Sequence, residues 1–390
     1  MRLTRKITAL LLALVLVLGM TACATPKADT TAKDSSSNTS TDANNGTANP
    51  DAASDAAKER TSLIASGQPY SHTLPAWLGE RDGLFEAANM DFEILMFTGG
   101  AAQNEALGAD EWAVGTMGSP PSITGGIAYG VKVIGFGSPD TEAVTIWARS
   151  DSDVAQVSGA VDGYPEILGD ADTWRGKTIL CPTSTSAHFT LIATLKALGL
   201  TSDDVEIIDM GVAQGYTAFK AGEADIVCLW DPQGFYAEDE GWTCISSGKA
   251  TGEAMPTVIV ASEKAIAEQH DEILEYLDIY FQESEKYAND LDAYAQAMLD
   301  IGLENGIEQD YDTAYKCAAK RPLQTLDDEI EWFSGEYGSR KADIAMENLM
   351  DFFVYTGTIE ESDKQTLIDN GFVDGSFIEE LAARYGKTLN

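Results

Sequence analysis

The sequence predicts an α/β protein with two lobes, each built on a mostly parallel sheet that helices cover. From about residue 60 onward, short apolar segments typical of strands alternate with segments typical of helices. The same order of elements begins again near residue 143, which indicates a second lobe of the same plan. The chain has 390 residues, of which 44% are hydrophobic, so it is long enough for two ordinary domains and too apolar to be disordered throughout.

The first series has four strands, and each is followed by a helix or by a turn rich in Gly, Ser and Pro. These strands are predicted at Thr61 to Gly67, Met90 to Phe97, Trp112 to Met117 and Val131 to Phe136. A helix is predicted from Pro75, because proline suits the first turn of a helix, and another over Ala101 to Leu107.

The second series is bounded by two apolar strands that we expect to carry the chain between the lobes. Its strands, with these two crossing strands first and last, are predicted at Ala143 to Ala148, Thr178 to Cys181, Val205 to Asp209, Ile226 to Trp230, Trp242 to Ile245 and Thr257 to Ala261. The second lobe, residues 150–256, is therefore expected to be an insertion in the first lobe, residues 60–149 plus 257–390. The sequence after Ser262 is typical of helices.

Residues 1–22 are predicted to be a signal peptide. A positively charged segment, Met1 to Lys6, precedes the apolar run Ile7 to Met20, which is shorter than the about 20 residues of a membrane-spanning helix. The following letters MTAC, which end at Cys23, resemble a bacterial lipobox, in which the cysteine becomes the lipidated first residue. We therefore expect lipidation of Cys23, and an ordinary cleaved signal followed by a chance cysteine is the alternative.

Residues 23–59 are predicted to be a flexible linker that follows the lipidated cysteine. This stretch is rich in Thr, Ser, Asp, Ala and Asn and lacks aromatic residues, so it cannot bury enough apolar surface to fold. Among the other cysteines, Cys181, Cys228 and Cys244 lie in predicted strands, where a buried thiol is the usual arrangement. A disulfide between Cys228 and Cys244 stays open as an alternative.

The charge and the motif content exclude several classes of function. Asp and Glu number 63 against 25 Lys and Arg, for a formal net charge of −38, which argues against binding to nucleic acid or to anionic lipid. Three His residues and the lack of a Cys-x-x-Cys motif argue against a metal cluster or a redox motif. Since Gly-x-Gly-x-x-Gly and phosphate-loop motifs are also absent, we expect no cofactor.

The candidate site is formed by the polar loops that follow the predicted strands, because ligands of open α/β sheets bind beyond the carboxyl ends of the strands. The candidate ligand-binding residues are Ser71, His72, Gly99, Gly100, Gly118, Ser119, Pro120, Thr185, Ser186, His188, Gln214, Trp230 and Asp231. The hydroxyl-rich run Thr183 to Ser186 precedes a predicted helix, whose first N–H groups suit a small anion. Backbone amides, rather than positive side chains, are therefore expected to hold the ligand.

Simpler explanations stay open for each of these residues. The hydroxyl-rich run also serves as an ordinary helix cap, and the Gly and Pro pairs also serve as ordinary turns. His72 and His188 are alternatively solvated loop residues, and Trp230 is alternatively part of the core. Asp231 either caps a helix or receives a cationic group, and the second reading favours a zwitterion or an amine-bearing ring as ligand.

A known family is similar to this chain in four stretches of sequence. These stretches read WLGERDGLFEAANMDFEIL, ALGADEWAVGTMGSPPSITGGIAYGVKVIG, WRGKTILCPTSTSAHFTLIATLKALGLTSDDVEIIDM and AFKAGEADIVCLWDP. In this order they resemble the ABC-transporter substrate-binding proteins of the nitrate, taurine and aliphatic-sulfonate type, whose relatives also bind thiamine pyrimidine precursors. The resemblance implies a periplasmic-binding-protein-like clamshell of type II, with two hinge crossings and a helical C-terminal part. It also implies that Gly118, Ser119, Thr185, Ser186 and Trp230 lie near the ligand.

The resemblance predicts a solute-binding receptor that is lipid-anchored on the extracytoplasmic face of the bacterial membrane. Such a receptor closes on a small anionic or zwitterionic solute and delivers it to permease and ATPase subunits; we expect a monomer with no nucleic-acid partner. The alternative enzyme resembles a pyrimidine synthase, for which the resemblance implies a Cys-rich motif and a cofactor-binding Lys, and the predicted loops contain neither. A sensory surface lipoprotein without a transport role is the third possibility.

Overall fold

The structure, a computed structural model, describes residues 60–390. The predicted signal peptide, Cys23 and the linker that follows it lie outside the described residues. Within residues 60–390, no helix combines the length and the apolar character needed to cross a bilayer.

Each of the ten predicted strands overlaps an observed strand in this part of the chain. The strands are β1 (Thr61–Gly67), β2 (Met90–Met96), β3 (Val114–Gly118), β4 (Val131–Pro139), β5 (Val144–Ala148), β6 (Thr178–Cys181), β7 (Glu206–Asp209), β8 (Ile226–Trp230), β9 (Thr243–Ser247) and β10 (Pro256–Ser262). They form two sheets of five strands, in the orders β2-β1-β3-β10-β4 and β7-β6-β8-β5-β9.

The two sheets share one topology. In the first sheet β1 pairs in parallel with β2 and β3, and in the second sheet β6 pairs in parallel with β7 and β8. The strand that enters from the other lobe, β10 or β5, lies antiparallel between two neighbours in its sheet. The predicted fold class, an α/β protein with two lobes and two hinge crossings, is confirmed.

One lobe boundary differs from the prediction, which ended the first part of lobe 1 at residue 149. β5 pairs with β8 and β9, so it belongs to the second sheet, and the first crossing is residues 140–143. The second crossing is residues 252–255, which lie between helix Gly248–Thr251 and β10. The two crossings touch, because the Asp140 N–H donates to the Met255 carbonyl oxygen at 2.8 Å.

Helices cover both sheets and make up most of the chain after β10, as predicted. They are α1 (Leu74–Arg81), α2 (Leu84–Ala87), α3 (Gly100–Gly108), α4 (Ser119–Tyr129), α5 (Asp153–Gln156), α6 (Ala171–Trp174), α7 (Ser186–Ala197), α8 (Val212–Ala221), α9 (Gln233–Asp239), α10 (Gly248–Thr251), α11 (Glu263–Glu268), α12 (His270–Ala288), α13 (Leu291–Glu304), α14 (Tyr311–Lys320), α15 (Leu326–Phe333), α16 (Lys341–Tyr355), α17 (Glu361–Asp369) and α18 (Ser376–Arg384), with a 3₁₀ turn at Ser202–Asp204.

The cores explain why these apolar runs form strands. Every residue of β5 and of β10 is buried, as expected for strands that lie inside a sheet with helices on both faces. The first lobe also buries large aromatic side chains of its helices and strands, among them Phe85 of α2, Phe136 of β4 and Tyr276 of α12. This rigid packing fixes the strand ends, and therefore the loops that follow them, in place.

The C-terminal helices contact both lobes. Phe235 of α9, in the second lobe, is buried in a cluster with Leu74 of α1 and Tyr294 of α13. On the other side, the ring of Phe189 in α7 meets the ring of Phe352 in α16 edge to face, with centroids 4.3 Å apart. The lobes therefore touch each other through side chains outside the loops that follow the strands.

The four cysteines of the described region are free thiols, and the open alternative of a Cys228–Cys244 disulfide is wrong for this structure. Cys228 of β8 and Cys244 of β9 lie on opposite sides of β5, which separates the two strands. Two strand spacings amount to about 9–10 Å, beyond the roughly 7 Å between Cα atoms that a disulfide spans.

Candidate ligand-binding site

A small cavity of about 40 Å³ lies between the lobes, beyond the carboxyl ends of strands from both sheets. The lining residues are Gln68, Tyr70, His72, Gly99, Gly100, Gly118, Pro121, Asp140, Thr185, Ser186, Trp230 and Arg321. They come from the loops after β1, β2, β3, β6 and β8, from the first crossing and from the end of α14. The cavity therefore has walls from both lobes and from the hinge.

Three helices begin at this cavity, and none of them has a side-chain cap. Gly99, Gly118 and Thr185 precede α3, α4 and α7, and no side chain accepts a hydrogen bond from the first turn of these helices. The Thr185 hydroxyl instead donates to the Pro182 carbonyl oxygen at 2.6 Å. The uncapped first turns of α3 and α7 present unpaired N–H groups and a partial positive charge, so this end of the cavity suits an anion. The first turn of α4 contains Pro120 and Pro121, which have no N–H, so α4 adds few donors.

The close approach of α3 to α4 requires glycine at position 100. A Cβ atom there would lie 2.3 Å from Cγ of Pro121, which is far inside van der Waals contact. In the opposite wall, Ser184 adopts a left-handed backbone conformation with a φ of 57°, and its N–H donates to Nδ1 of His188 at 3.3 Å. His188 thus supports the loop that leads to α7, and burial lowers the pKa of its imidazole.

Arg321 brings a positive side chain into the cavity from the end of α14. The residue is 2% exposed, and its Nε donates to Oδ1 of Asp140 at 2.8 Å. Burial alone would lower the pKa of Arg321, but the negative charges of Asp140 and Asp231 raise this pKa by more than burial lowers it. The pKa therefore lies above its ordinary value, and the guanidinium is charged. Within residues 60–390, its two terminal nitrogens donate no hydrogen bond, and they are available to a ligand.

His72 supplies a neutral imidazole to the same wall. Its ring is buried, and burial lowers its pKa to about 4, against the opposing effect of Asp140 and with a further lowering by Arg321. At neutral pH the ring therefore offers one donor and one acceptor nitrogen. Neither nitrogen has a partner among the described residues, whereas the backbone is held by the Tyr280 hydroxyl, which donates to the His72 carbonyl oxygen at 2.8 Å.

Tyr70 and Trp230 join the two lobes at the mouth of the cavity. Nε1 of Trp230 donates to the Tyr70 hydroxyl at 3.0 Å, and the two rings meet edge to face with centroids 6.4 Å apart. Both residues also line a larger outer cleft between the lobes, of about 820 Å³, whose walls include Phe97, Tyr216 and Tyr236. This aromatic pair therefore separates the inner cavity from the outer cleft.

The structure brings together about half of the predicted site residues. Those that line the cavity are His72, Gly99, Gly100, Gly118, Thr185, Ser186 and Trp230. Those that do not line it are Ser71, Ser119, Pro120, His188, Gln214 and Asp231. Gln214 lies in the outer cleft, and His188 lies behind the loop that precedes α7.

The remaining side chains point away from the cavity for identifiable reasons. Ser71 is buried against Ser138, with the two hydroxyl oxygens 2.5 Å apart. Ser119 and Pro120 are buried in the first turn of α4, where Pro121 takes the place in the cavity wall that was predicted for Pro120. The Asp231 carboxylate is buried, with Nζ of Lys320 at 3.1 Å, so the predicted contact of Asp231 with a ligand is corrected to an internal ion pair.

Five lining residues were absent from the predicted set: Gln68, Tyr70, Pro121, Asp140 and Arg321. Gln68 and Tyr70 lie in the loop after β1, next to residues that were predicted, and Asp140 lies in a crossing segment. Arg321 lies in the helical C-terminal part, where the sequence carries no signal that it approaches the strand ends. Arg321 places a positive side chain in the cavity wall, where the sequence predicted backbone amides rather than positive side chains.

The two lobes and the cavity between them have the fold of the periplasmic-binding-protein type. Comparison with known proteins agrees with the resemblance seen in the sequence. The profile of the family described as NMT1/THI5 like matches residues 167–282. The chain is 28% identical, over 332 residues, to an ABC transporter periplasmic binding protein of Brachyspira hyodysenteriae, a match that covers 85% of this chain and 91% of the other.

Two further comparisons agree with this class. The chain is 25% identical over 204 residues to the taurine-binding periplasmic protein of Escherichia coli, across 51% of this chain and 58% of that protein. The alkanesulfonate-binding protein SsuA from Xanthomonas axonopodis, solved with bound MOPS, shares the fold with a TM-score of 0.62 and 18% identity, over 78% of this chain and 96% of that one. The predicted resemblance to ABC-transporter substrate-binding proteins with sulfonate and taurine relatives is confirmed.

Proposed function

We propose that this chain is the extracytoplasmic solute-binding component of an ABC importer, and that it captures a small anionic or zwitterionic solute by closure of its lobes. One observation carries the proposal: the uncapped N-termini of α3 and α7, one from each lobe, and the Arg321 guanidinium meet in a single cavity with walls from both lobes. An oxyanion, of a sulfonate, a carboxylate or nitrate, is the group that such a set of donors recognises.

The magnitudes favour an anion in spite of the strongly acidic chain. A helix N-terminus stabilises a negative charge by about 0.3–1 kcal/mol when exposed and by up to about 2 kcal/mol when partly buried. A hydrogen bond from a charged donor such as Arg321 contributes roughly 1.5–3 kcal/mol. Because closure removes water from the cavity, these short-range contacts outweigh the screened repulsion from distant surface carboxylates.

The relatives support the class of solute and the partners. A taurine-binding protein and alkanesulfonate-binding proteins are among them, so a sulfonate or a similar oxyanion is the solute that we favour. Permease and ATPase subunits of an importer are the proposed partners, since a related chain is an ABC transporter binding protein. The proposed receptor acts as a monomer, because a single chain supplies both walls of the cavity.

We favour a binding role over the pyrimidine-synthase alternative. For an enzyme of that kind the resemblance implies a Cys-rich motif and a cofactor-binding lysine. The residues that line the cavity in the described part of the chain include neither cysteine nor lysine. A sensory role without transport uses the same cavity, and it is distinguished by whether deletion of the gene abolishes uptake of the solute.

A panel of ligands tests the proposed function by thermal unfolding. Isethionate, taurine, nitrate and an uncharged aminopyrimidine are added separately to the purified protein, and the melting temperature is measured. We expect at least one oxyanion to raise the melting temperature by several degrees, since a ligand at 100 times its Kd stabilises the native state by about 2.7 kcal/mol. A response to the aminopyrimidine alone contradicts the proposal.

The variant Ser186→Ala supplies the matched test of location. Ser186 lines the cavity at the start of α7, and loss of one hydrogen bond of about 1 kcal/mol is expected to weaken binding of the active oxyanion roughly 5-fold. Ser202→Ala, in the 3₁₀ turn outside the cavity, is the control and is expected to bind as the wild type does. Equal affinity of both variants would place the ligand elsewhere.

We further propose that the protein is held at the extracytoplasmic face of the bacterial cell membrane by a lipid on Cys23, as the lipobox-like letters suggest. Replacing Cys23 with serine removes the thiol that carries the lipid, and the protein is then expected in the soluble extracytoplasmic fraction. Cell fractionation followed by immunoblotting checks this, with wild type in the membrane fraction as the reference. Retention of Cys23→Ser in the membrane would exclude the lipid anchor.

A further inference from the structure

The charged side chains around the cavity are already paired with each other. Arg321 and Asp140 both line the cavity, and they form an ion pair with one another at 2.8 Å. Lys320 and Asp231 form a second pair just outside the lining, with the Asp231 carboxylate completely shielded from solvent. The charges of these four side chains therefore cancel, and the helix N-termini are left as the uncompensated positive feature.

Asp140 is the single carboxylate among the lining residues of the described chain. Its Oδ1 accepts the Nε hydrogen of Arg321, and its backbone N–H is bound to Met255 of the second crossing. A ligand ammonium group that approached Asp140 would lie beside the Arg321 guanidinium, so that attraction to one group is offset by repulsion from the other. In the described chain, the cavity lining thus offers an amine no carboxylate that is not already paired with a cation.

The uncharged polar groups of the cavity indicate a ligand whose tail is uncharged, in place of an amine. His72 is 4% exposed and neutral, and both of its ring nitrogens lack a partner in the described structure. A hydroxyl group satisfies such a ring, because it donates to one nitrogen or accepts from the other. The faces of Tyr70 and Trp230 complete the wall with apolar surface that suits a short carbon chain.

We propose that the solute is a monoanion with an oxyanion head and an uncharged hydroxyl or apolar tail, an inference that rests on the proposed function. The Arg321–Asp140 pair excludes zwitterions. The oxyanion lies at the N-termini of α3 and α7, with the free Arg321 nitrogens as further donors. Arg321 also neutralises Asp140, which would otherwise accept the ammonium group of a zwitterion. Arg321 is therefore a specificity-determining residue of this site.

Two pairs of matched ligands test this proposal on the purified wild-type protein by isothermal titration calorimetry. Isethionate and taurine share a sulfonate head and differ in a terminal hydroxyl or ammonium group, and 3-hydroxypropanoate and β-alanine differ in the same way on a carboxylate head. We expect the hydroxyl member of the pair that binds to have an affinity at least 10-fold higher than the ammonium member. The pair that binds also identifies the head group as sulfonate or carboxylate.

The variant Arg321→Gln tests the proposed role of the arginine. It frees Asp140, so the ratio of hydroxyl-ligand to ammonium-ligand affinity is expected to fall at least 10-fold, while the affinity for the hydroxyl ligand itself also falls. Arg321→Lys keeps the charge and is expected to keep the preference. Lys316→Gln removes a charge from the same helix at an exposed position outside the cavity, and the ratio is expected to stay at its wild-type value.

The possible outcomes separate the inference from the proposed function. Equal or tighter binding of taurine or β-alanine by the wild type overturns the inference and leaves an oxyanion-binding receptor in place. An unchanged ratio in a folded Arg321→Gln protein overturns the role of Arg321 alone. Failure of all four ligands and of nitrate to bind overturns the proposed function, and the inference with it.

Discussion

Replacement of Glu329 by glutamine is expected to raise the free energy of unfolding at pH 7 by about 2 kcal/mol. Glu329 in α15 is completely buried beneath the first sheet, and its Oε2 accepts the Phe136 N–H at 3.0 Å. Its Oε1 has no partner in the described structure, and burial raises the pKa of this carboxyl well above its usual range. Glutamine keeps the acceptor for Phe136 and cannot ionise.

The sign of the pH dependence follows from the raised pKa. A carboxyl with a raised folded-state pKa holds its proton in the native state after the unfolded chain has released it. Its contribution to stability is therefore complete below the unfolded pKa of about 4.5 and is lost as the pH rises, by about 1.4 kcal/mol per pH unit until the folded-state pKa is reached. Wild type is thus expected to be less stable at pH 8 than at pH 5 through this group.

Urea unfolding at pH 5, 6.5 and 8 measures this effect. The advantage of Glu329→Gln over wild type is expected to grow with pH across the series. Glu331→Gln, on the exposed face of the same helix, is the control and is expected to show the same pH dependence as wild type. If the stability of Glu329→Gln depended on pH as that of wild type does, the buried carboxyl would not be the cause of the loss of stability at high pH.

The position of Glu329 has a local cause in the first sheet. β4 and β10 change register on both sides of the pairs that Val258 and Ile259 make with Phe136 and Gly135. Such irregularities leave backbone groups outside the regular ladder, and the Phe136 N–H finds Glu329 as its acceptor. No residue pattern of β4 predicts this contact, because the partner lies 193 positions further along the chain.

Local patterns in the sequence were sufficient for the strands and for part of the site. Short apolar runs bounded by Gly and Pro mark strands whichever sheet they join, and the loop after each strand is then placed by topology. His72, Thr185 and Trp230 line the cavity for this reason. The same argument could not assign β5 to a sheet, since its apolar residues suit a buried strand of either lobe.

Side-chain direction and long-range packing determine the parts of the site that the sequence did not predict. Asp231 directly follows the end of β8 and pairs with Lys320, whereas its neighbour Trp230 lines the cavity, and the sequence does not specify which of the two side chains faces the cavity. Arg321 reaches the cavity because α13 and α14 pack against α1 and α9, a tertiary arrangement that helical periodicity does not specify. The Arg321–Asp140 ion pair is therefore seen only in the structure, whereas the helix N-termini at the cavity could be predicted from the loops that follow the strands.

Trp230→Ala is expected to weaken binding of the oxyanion that is active in the thermal panel by about 100-fold, or roughly 2–3 kcal/mol. Trp230 covers the cavity from the second lobe, and its Nε1 hydrogen bond to Tyr70 is a direct contact between the lobes. Truncation removes both the apolar wall and this contact, so the lobes reopen more easily and the dissociation rate rises. Stopped-flow measurement of the dissociation rate, with calorimetry for Kd, checks the expectation.

Trp230→Phe and Tyr70→Phe separate the hydrogen bond from the aromatic wall. Each removes one partner of the bond between the lobes and keeps a ring, so each is expected to weaken binding about 5-fold, in line with a net hydrogen bond of about 1 kcal/mol. Because the two changes remove the same interaction, the double variant is expected to be no weaker than either single one. Fully additive losses in the double variant would mean that the two side chains act on the ligand independently, and that the hydrogen bond between the lobes does not contribute to closure.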